Sequence, residues 1–143
     1  MTTYIPKVAP GDRAWFLIDA RDQVLGKLAA KAAQILSGKT NPSYTPFLDT
    51  GGHVIVINAA FVHLTGKKDE TKLYQHPTGY LGNFKSAAAK DVRKKAPQRL
   101  IEEAVRGMLP KTKLGRAMYT KLKVYAGPEH LHKAQKPQPI TVK

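Results

Sequence analysis

The sequence has 143 residues, 42% of them hydrophobic, and its 24 Lys and Arg against ten Asp and Glu give a formal net charge of +14. It contains no cysteine, which excludes disulfide bonds and thiolate metal sites, and no apolar run approaches the roughly 20 residues of a membrane span. We therefore expect a cytoplasmic protein with one domain, residues 1–143. We also expect a short N-terminal arm at about residues 1–13 and an extended, basic, proline-rich tail at about residues 127–143.

The positive charge is unevenly distributed along the chain. Residues 1–84 contain nine basic and six acidic residues, a net charge of +3, whereas residues 85–143 contain fifteen and four, a net charge of +11. Such an excess favours a polyanionic partner, because Lys and Arg gain affinity by neutralising phosphates. No segment is strongly amphipathic with Trp or Phe on the apolar side, so we expect nucleic acid as the partner and no membrane.

The first half of the chain predicts a strand, a helix and a second strand. Residues 15–18 form a continuous apolar run that is typical of a buried strand. Apolar residues then recur at helical spacing from Leu25 to Leu36, and Gly38 is a natural helix stop. The four β-branched residues at 54–57 predict the second strand. This order predicts a βαβ unit with parallel strands and a right-handed crossover.

The second half predicts shorter elements. We expect short strands at residues 61–64 and 72–75, the second more exposed than the first. Residues 86–95 are helical by propensity and strongly basic. Residues 97–108 begin with proline, which suits the first position of a helix, and continue with an apolar stripe that predicts a core-facing surface.

A basic segment at residues 107–138 combines seven Lys or Arg with one acid. Its apolar residues Leu114, Met118 and Leu122 recur every four positions and predict the buried face of a helix. Lys121 falls on this apolar side of the helical wheel. The cations that project roughly opposite to it are Lys113, Arg116 and Lys123.

Two groups of residues are candidate contacts for RNA. In the first group we expect Lys and Arg to neutralise phosphates, with histidine and glutamine as hydrogen-bonding neighbours. The second group sets basic residues beside aromatics and a flexible loop, a mixture that suits single-stranded or irregular RNA. The first group, in the basic segment, comprises Lys111, Lys113, Arg116, Lys121, Lys123, His130, His132, Lys133 and Gln135. The second group comprises Lys67, Lys68, Tyr74, His76, Thr78, Gly79 and Lys85. Tyr74 and Tyr80 are explained equally well as half-buried strand residues.

Motifs for catalysis or metal binding are weak. Gly38-Lys39-Thr40 lacks the upstream glycine and the preceding strand of a phosphate-binding loop, and there is no nucleophile elbow. His130 and His132 could share one face of a strand and bind a metal, but no third ligand stands nearby. We expect neither enzymatic activity nor a metal site. A small RNA-processing or nucleotide-dependent enzyme and a free regulator of messenger RNA remain as alternatives.

Several motifs resemble those of the bacterial large-subunit ribosomal protein family L-thirteen. They occur in order and cover nearly the whole chain: residues 15–20, 25–29, 44–46, 54–59, 64–66 and 107–138. At positions 83 and 112 the chain has Asn and Thr where the family commonly has glycine.

The resemblance implies a fold and a role. The fold is a three-layer α/β/α domain on a small, mainly parallel four-stranded sheet. The role is that of an early-assembling structural constituent of the large ribosomal subunit, which supports translation and binds large-subunit ribosomal RNA beside neighbouring ribosomal proteins. It also implies no catalytic activity and no cofactor. We further expect no small-molecule substrate and no homo-oligomer.

Overall fold

The structure, a computed structural model, describes residues 4–7 and 10–142. Its strands, in chain order, are β1 (Trp15–Asp19), β2 (His53–Ile57), β3 (Leu73–Pro77), β4 (Phe84–Ala88), β5 (Leu122–Val124) and β6 (Gln138–Ile140). Its α-helices are α1 (Leu25–Ser37), α2 (Lys68–Thr71), α3 (Ala89–Lys95), α4 (Pro97–Met108) and α5 (Lys113–Thr120). None of the helices in this described part of the chain is long and apolar enough to cross a membrane.

A four-stranded parallel sheet lies at the centre, with the strands in the order β5-β2-β1-β6. The predicted β1-α1-β2 unit is confirmed, and α1 ends where Gly38 adopts a left-handed conformation with φ of 80°. The predicted α/β class and the four-stranded sheet are confirmed as well.

The helices pack against one face of this sheet. Ile18 of β1 and Val56 of β2 point to that face and are fully buried with Leu28 of α1 and Leu100 of α4. The apolar positions that predicted α1 and α4 are therefore the positions that form the core. Burial of such aliphatic side chains contributes about 1.5–3 kcal/mol each.

Residues 125–137, an irregular segment that connects β5 to β6, pass over the opposite face of the sheet, where the His132 ring lies 5.1 Å from the Trp15 ring of β1. These two strands lie at opposite edges, so the connection must cross the sheet. Across the sheet, the β5-to-β6 connection runs in the direction opposite to the β1-to-β2 connection. Because crossovers between parallel strands are right-handed, the crossing segment and α1 lie on opposite faces. The third layer consequently consists of this segment rather than of helices.

Several predicted elements in the second half need correction. Residues 61–64 do not form a strand, because Ala59–Phe61 forms a 3-10 turn and His63 makes only an isolated bridge with Val24. Residues 72–75 contribute to β3, but this strand pairs antiparallel with β4 in a separate two-stranded hairpin. The third and fourth strands of the main sheet are instead β5 and β6.

The two predicted terminal segments differ in how far the structure describes them. The arm at residues 1–13 lies partly outside the described residues, and within it Pro10–Asp12 forms a 3-10 turn. The predicted tail is not a free extension, because β6 pairs with β1 in parallel and Ile140 packs against the core.

Candidate nucleic-acid interface

Helix α5 presents the predicted cations because its opposite face is fixed to the body of the protein. The Thr112 hydroxyl caps the helix by accepting a hydrogen bond from the Gly115 N–H at 3.3 Å. Gly115 lies so close to Pro110 that a Cβ atom there would overlap the Pro110 carbonyl oxygen. Met118 is buried in the core. The exposed cations of this region are Lys111, Lys113 and Arg116.

Lys121 was predicted to bind phosphate, and this prediction is wrong because its side chain is only 4% exposed. Its ammonium donates hydrogen bonds to the main-chain oxygens of Leu36 (3.2 Å) and Gly51 (2.9 Å) and to the carboxylate of Asp49. Asp49 also pairs with Arg13 at 3.0 Å. Burial lowers the pKa of Lys121, and the hydrogen bond that its ammonium donates to Asp49 opposes that shift. Lys121 therefore joins α5, the end of α1 and the loop before β2.

A groove between the hairpin, α4 and α5 brings the two predicted groups together. Its walls include His76 from the second group and Lys111 and Arg116 from the first. Arg106 of α4 also lines it and was missed in the sequence analysis. The signal was available, because Arg106 lies seven positions after Arg99 and thus on the same outward face of α4.

Arg99 organises the hairpin side of this groove. Its guanidinium contacts Nε2 of His76 and donates to the carboxylate of Glu103 at 3.2 Å. Glu103 lies 4.0 Å from the same His76 nitrogen. His76 was predicted as an RNA contact because it precedes a flexible loop, and in the structure residues of α4 hold its side chain.

The remaining residues of the first group lie at the second face of the main sheet. Lys123 is on β5, and the others are in the crossing segment. The side chains of Lys123, Lys133 and Gln135 are exposed, whereas His130 and His132 are half-buried. This surface is separate in the fold from the groove beside α5.

The half-buried histidines have structural contacts. The His132 ring lies 5.1 Å from Trp15 and 6.1 Å from Tyr125, and Trp15 stacks on His53 at 4.1 Å. His130 accepts a hydrogen bond at Nδ1 from the backbone N–H of His132 at 3.2 Å. In the described ranges, no three His, Asp or Glu side chains are grouped as a metal site. These contacts hold the crossing segment against the sheet.

His53, which stacks on Trp15, has several cations nearby. Burial lowers its pKa from 6.5, and nearby positive charges lower it further. Those charges belong to Lys121, Arg13 and Lys123. A neutral imidazole is therefore favoured at this position, which is compatible with its stacking on Trp15.

The second group is divided between α2 and the hairpin. Lys67, Lys68 and Lys85 are exposed, and Gly79 adopts a φ of 93° in the hairpin loop beside Thr78. Tyr74 differs from these, because its ring packs against the core and its hydroxyl oxygen is buried. Burial raises the pKa of Tyr74, and the charge of Glu103 adds to the effect. We therefore do not retain Tyr74 as a residue that stacks on RNA bases.

Comparisons with known proteins identify consistent similarities. A family model described as "Ribosomal protein L13" matches residues 13–131. A protein of Solibacter usitatus named "Large ribosomal subunit protein uL13" is 54% identical over 143 residues, covering 100% of both chains. A protein of the same name from Alkalilimnicola ehrlichii is 51% identical, and the match covers 99% of this chain and 100% of the relative. Another, from Acaryochloris marina, is 49% identical, and the match covers 98% of this chain and 93% of the relative.

Proposed function

This chain belongs to the ribosomal protein L13 family, and from that premise we propose that it is a structural constituent of the large ribosomal subunit. It binds large-subunit ribosomal RNA early in assembly, beside neighbouring ribosomal proteins, and acts in the cytoplasm without catalysing a reaction. The relatives give no support to the two alternative functions, a free regulator of messenger RNA and a processing enzyme.

The observation that carries the proposal is a set of exposed cations without acidic partners. Eight of the nine predicted Lys and Arg contacts have exposed side chains, the exception being Lys121. None of the eight forms an ion pair with another residue in the described ranges. Unpaired surface cations repel one another, and phosphates of a folded RNA would relieve that repulsion.

A variant that removes three of these charges tests the proposal. We expect Lys113→Gln, Arg116→Gln and Lys123→Gln in one chain to weaken binding to large-subunit ribosomal RNA and incorporation into subunits. The slope of log K against log salt concentration should fall by about 3, because each phosphate contact contributes about 0.9. RNA titrations at several salt concentrations and sedimentation of cell extracts measure both effects.

The matched control changes the same number of charges elsewhere. This control variant carries three substitutions in or just after α1: Lys27→Gln, Lys31→Gln and Lys39→Gln. We expect it to lose less affinity for the RNA than the first triple variant. Equal losses from the two triple variants would mean that net charge matters and the proposed positions do not. Thermal unfolding should give nearly the same midpoint for all three proteins, because the six side chains form no ion pair within the described structure.

A further inference from the structure

The tip of the β3–β4 hairpin exposes large apolar side chains in a way that the phosphate-binding role leaves unexplained. Tyr80 is 81% exposed, Leu81 is fully exposed and Phe84 is 60% exposed. Most residues of both strands are exposed as well. Single exposed apolar residues are ordinary on a protein surface, but three within five positions at the end of a projecting hairpin indicate a binding surface.

The strand register directs this apolar surface away from the body of the protein. Pro77 pairs with Phe84 at the end of the ladder. The preceding residue, His76, lies on the other face, where it contacts Arg99 of α4. Phe84 therefore belongs to the outward face, together with Leu73, which is 55% exposed at the opposite end of β3.

The loop that carries the tip has a defined conformation. The Thr78 N–H donates to the Asn83 carbonyl oxygen at 3.1 Å, and the Asn83 N–H donates to the Tyr80 carbonyl oxygen at 3.2 Å. Gly79 and Gly82 have φ values of 93° and 73°, which L side chains rarely adopt. Because these bonds order the loop before binding, little conformational entropy remains to be lost when the tip meets a partner.

The charges around the tip favour RNA as that partner. Residues 67–95, which contain the hairpin and the elements that flank it, carry eight Lys or Arg and three acids, a net charge of +5. Lys85 lies directly after Phe84, and Lys72 lies at the base of the hairpin with its ammonium 5.2 Å from the centroid of the Tyr74 ring. A polyanion can therefore contact the cations while the apolar tip contacts its bases.

From this juxtaposition we infer that Tyr80 and Leu81 pack against an unpaired base of the ribosomal RNA. The inference rests on the proposed function and specifies the kind of RNA element that the hairpin recognises. In a duplex the faces of the bases are covered by their neighbours, so an apolar tip has no flat apolar surface to contact. A loop, bulge or strand end exposes such a face, and aromatic stacking on it tolerates any base.

A double variant, Tyr80→Ala with Leu81→Ala, tests the inference. We expect the dissociation constant for deproteinised large-subunit ribosomal RNA to rise about tenfold, the order of effect known for the loss of one base–aromatic stack. The slope of log K against log salt concentration should stay the same, because no phosphate contact is lost. Acylation of the ribose 2′-hydroxyls, which reports flexible nucleotides whatever their base, should show an unpaired nucleotide that the wild-type protein protects and the variant leaves reactive.

Two further variants control this experiment. Tyr80→Phe keeps the ring and should bind almost as well as the wild type. Phe47→Ala removes another exposed apolar side chain, 62% exposed in the loop before β2, and should leave the affinity unchanged. All of these side chains are exposed, so the variants should keep the thermal midpoint of the wild type.

Each other outcome would overturn the inference. Unchanged affinity for RNA with lost incorporation into subunits would mean that the tip binds a protein, and a reduced salt slope would mean that it acts through phosphates. Unchanged affinity and incorporation would mean that the tip has no role in binding. The proposed function fails separately, if the wild-type protein itself does not bind the RNA.

Discussion

Lys121 shows how one side chain can reverse its expected role once long-range contacts form. Its ammonium satisfies two main-chain carbonyls and shares Asp49 with Arg13. Leu36, whose carbonyl oxygen accepts one of these hydrogen bonds, lies at the C-terminal end of α1, where the helix dipole favours a cation. Breaking this arrangement is costly, because two main-chain carbonyl oxygens lose the ammonium that they accept from and Asp49 keeps only Arg13 as a partner.

We predict that Lys121→Ala lowers the free energy of unfolding by about 3 kcal/mol, because two buried carbonyl oxygens lose a donor and Asp49 loses one of its two cationic partners. Urea unfolding monitored by circular dichroism measures the change. Lys123→Ala, two positions along the chain and exposed, is the control and should change the free energy by less than about 0.5 kcal/mol. Equal stability of the Lys121 variant and the wild type would show that these contacts are not maintained in solution.

At the scale of elements, those with a local sequence pattern were predicted well and those that depend on pairing were not. The strands at residues 15 and 54 follow from continuous apolar runs, and α1 and the helix at Pro97 follow from apolar residues at helical spacing. Residues 86–88 are alanine-rich by contrast and favour a helix on propensity alone, yet they complete β4 because β3 lies opposite. Residues 138–140 were predicted only as part of an extended, proline-rich tail, but they form β6, an edge strand, where proline is tolerated.

The same distinction applies to the candidate interface. The helical wheel correctly placed Lys113 and Arg116 outside, because their exposure depends only on the periodicity of α5. The groove that brings His76 beside Arg116 depends on the packing of the hairpin, α4 and α5, and these two residues lie 40 positions apart in sequence. No local pattern contains that information.

The close approach of α5 to Pro110 gives a prediction for glycine. We expect Gly115→Ala to destabilise the protein, although alanine is normally favoured over glycine in a helix by up to about 1 kcal/mol. The added methyl group would overlap the Pro110 carbonyl oxygen and force the helix away from the core. Thermal unfolding should show a lower midpoint for this variant.

Gly107 near the end of α4 supplies the matched control. A Cβ atom there meets nothing within 4 Å, so Gly107→Ala should stabilise the protein by roughly 0.5–1 kcal/mol. A Gly115 variant as stable as the Gly107 variant would show that the approach of α5 to Pro110 is looser than described.

At the scale of the whole molecule, the central sheet joins the two ends of the chain. The first strand, β1, is flanked by β2 and by the last strand, β6. The crossing segment with Lys133 and Gln135 is therefore anchored at both of its ends, by β5 and by β6. The cations on that surface are positioned by the sheet and are not carried on a free tail.

We predict that a chain ending at Pro137, and so without β6, is less stable than the full chain by at least about 2 kcal/mol. The loss reflects the burial of Ile140 and the ladder between β6 and β1. Urea unfolding gives the difference, and Gln138→Ala, which changes only an exposed side chain, is the control. A truncated chain as stable as the full one would mean that β6 is dispensable to the sheet.

The pairing of β1 with β6 also has a consequence for the timing of synthesis. An emerging polypeptide can form β1, α1 and β2 early, because these elements are close in sequence. The edge beside β1 stays open until Gln138–Ile140 has been synthesised, and only then can the crossing segment be held at both ends. A nascent chain that stops before β6 would hold the cations of the crossing segment at one end only, so the proposed contact surface would form last.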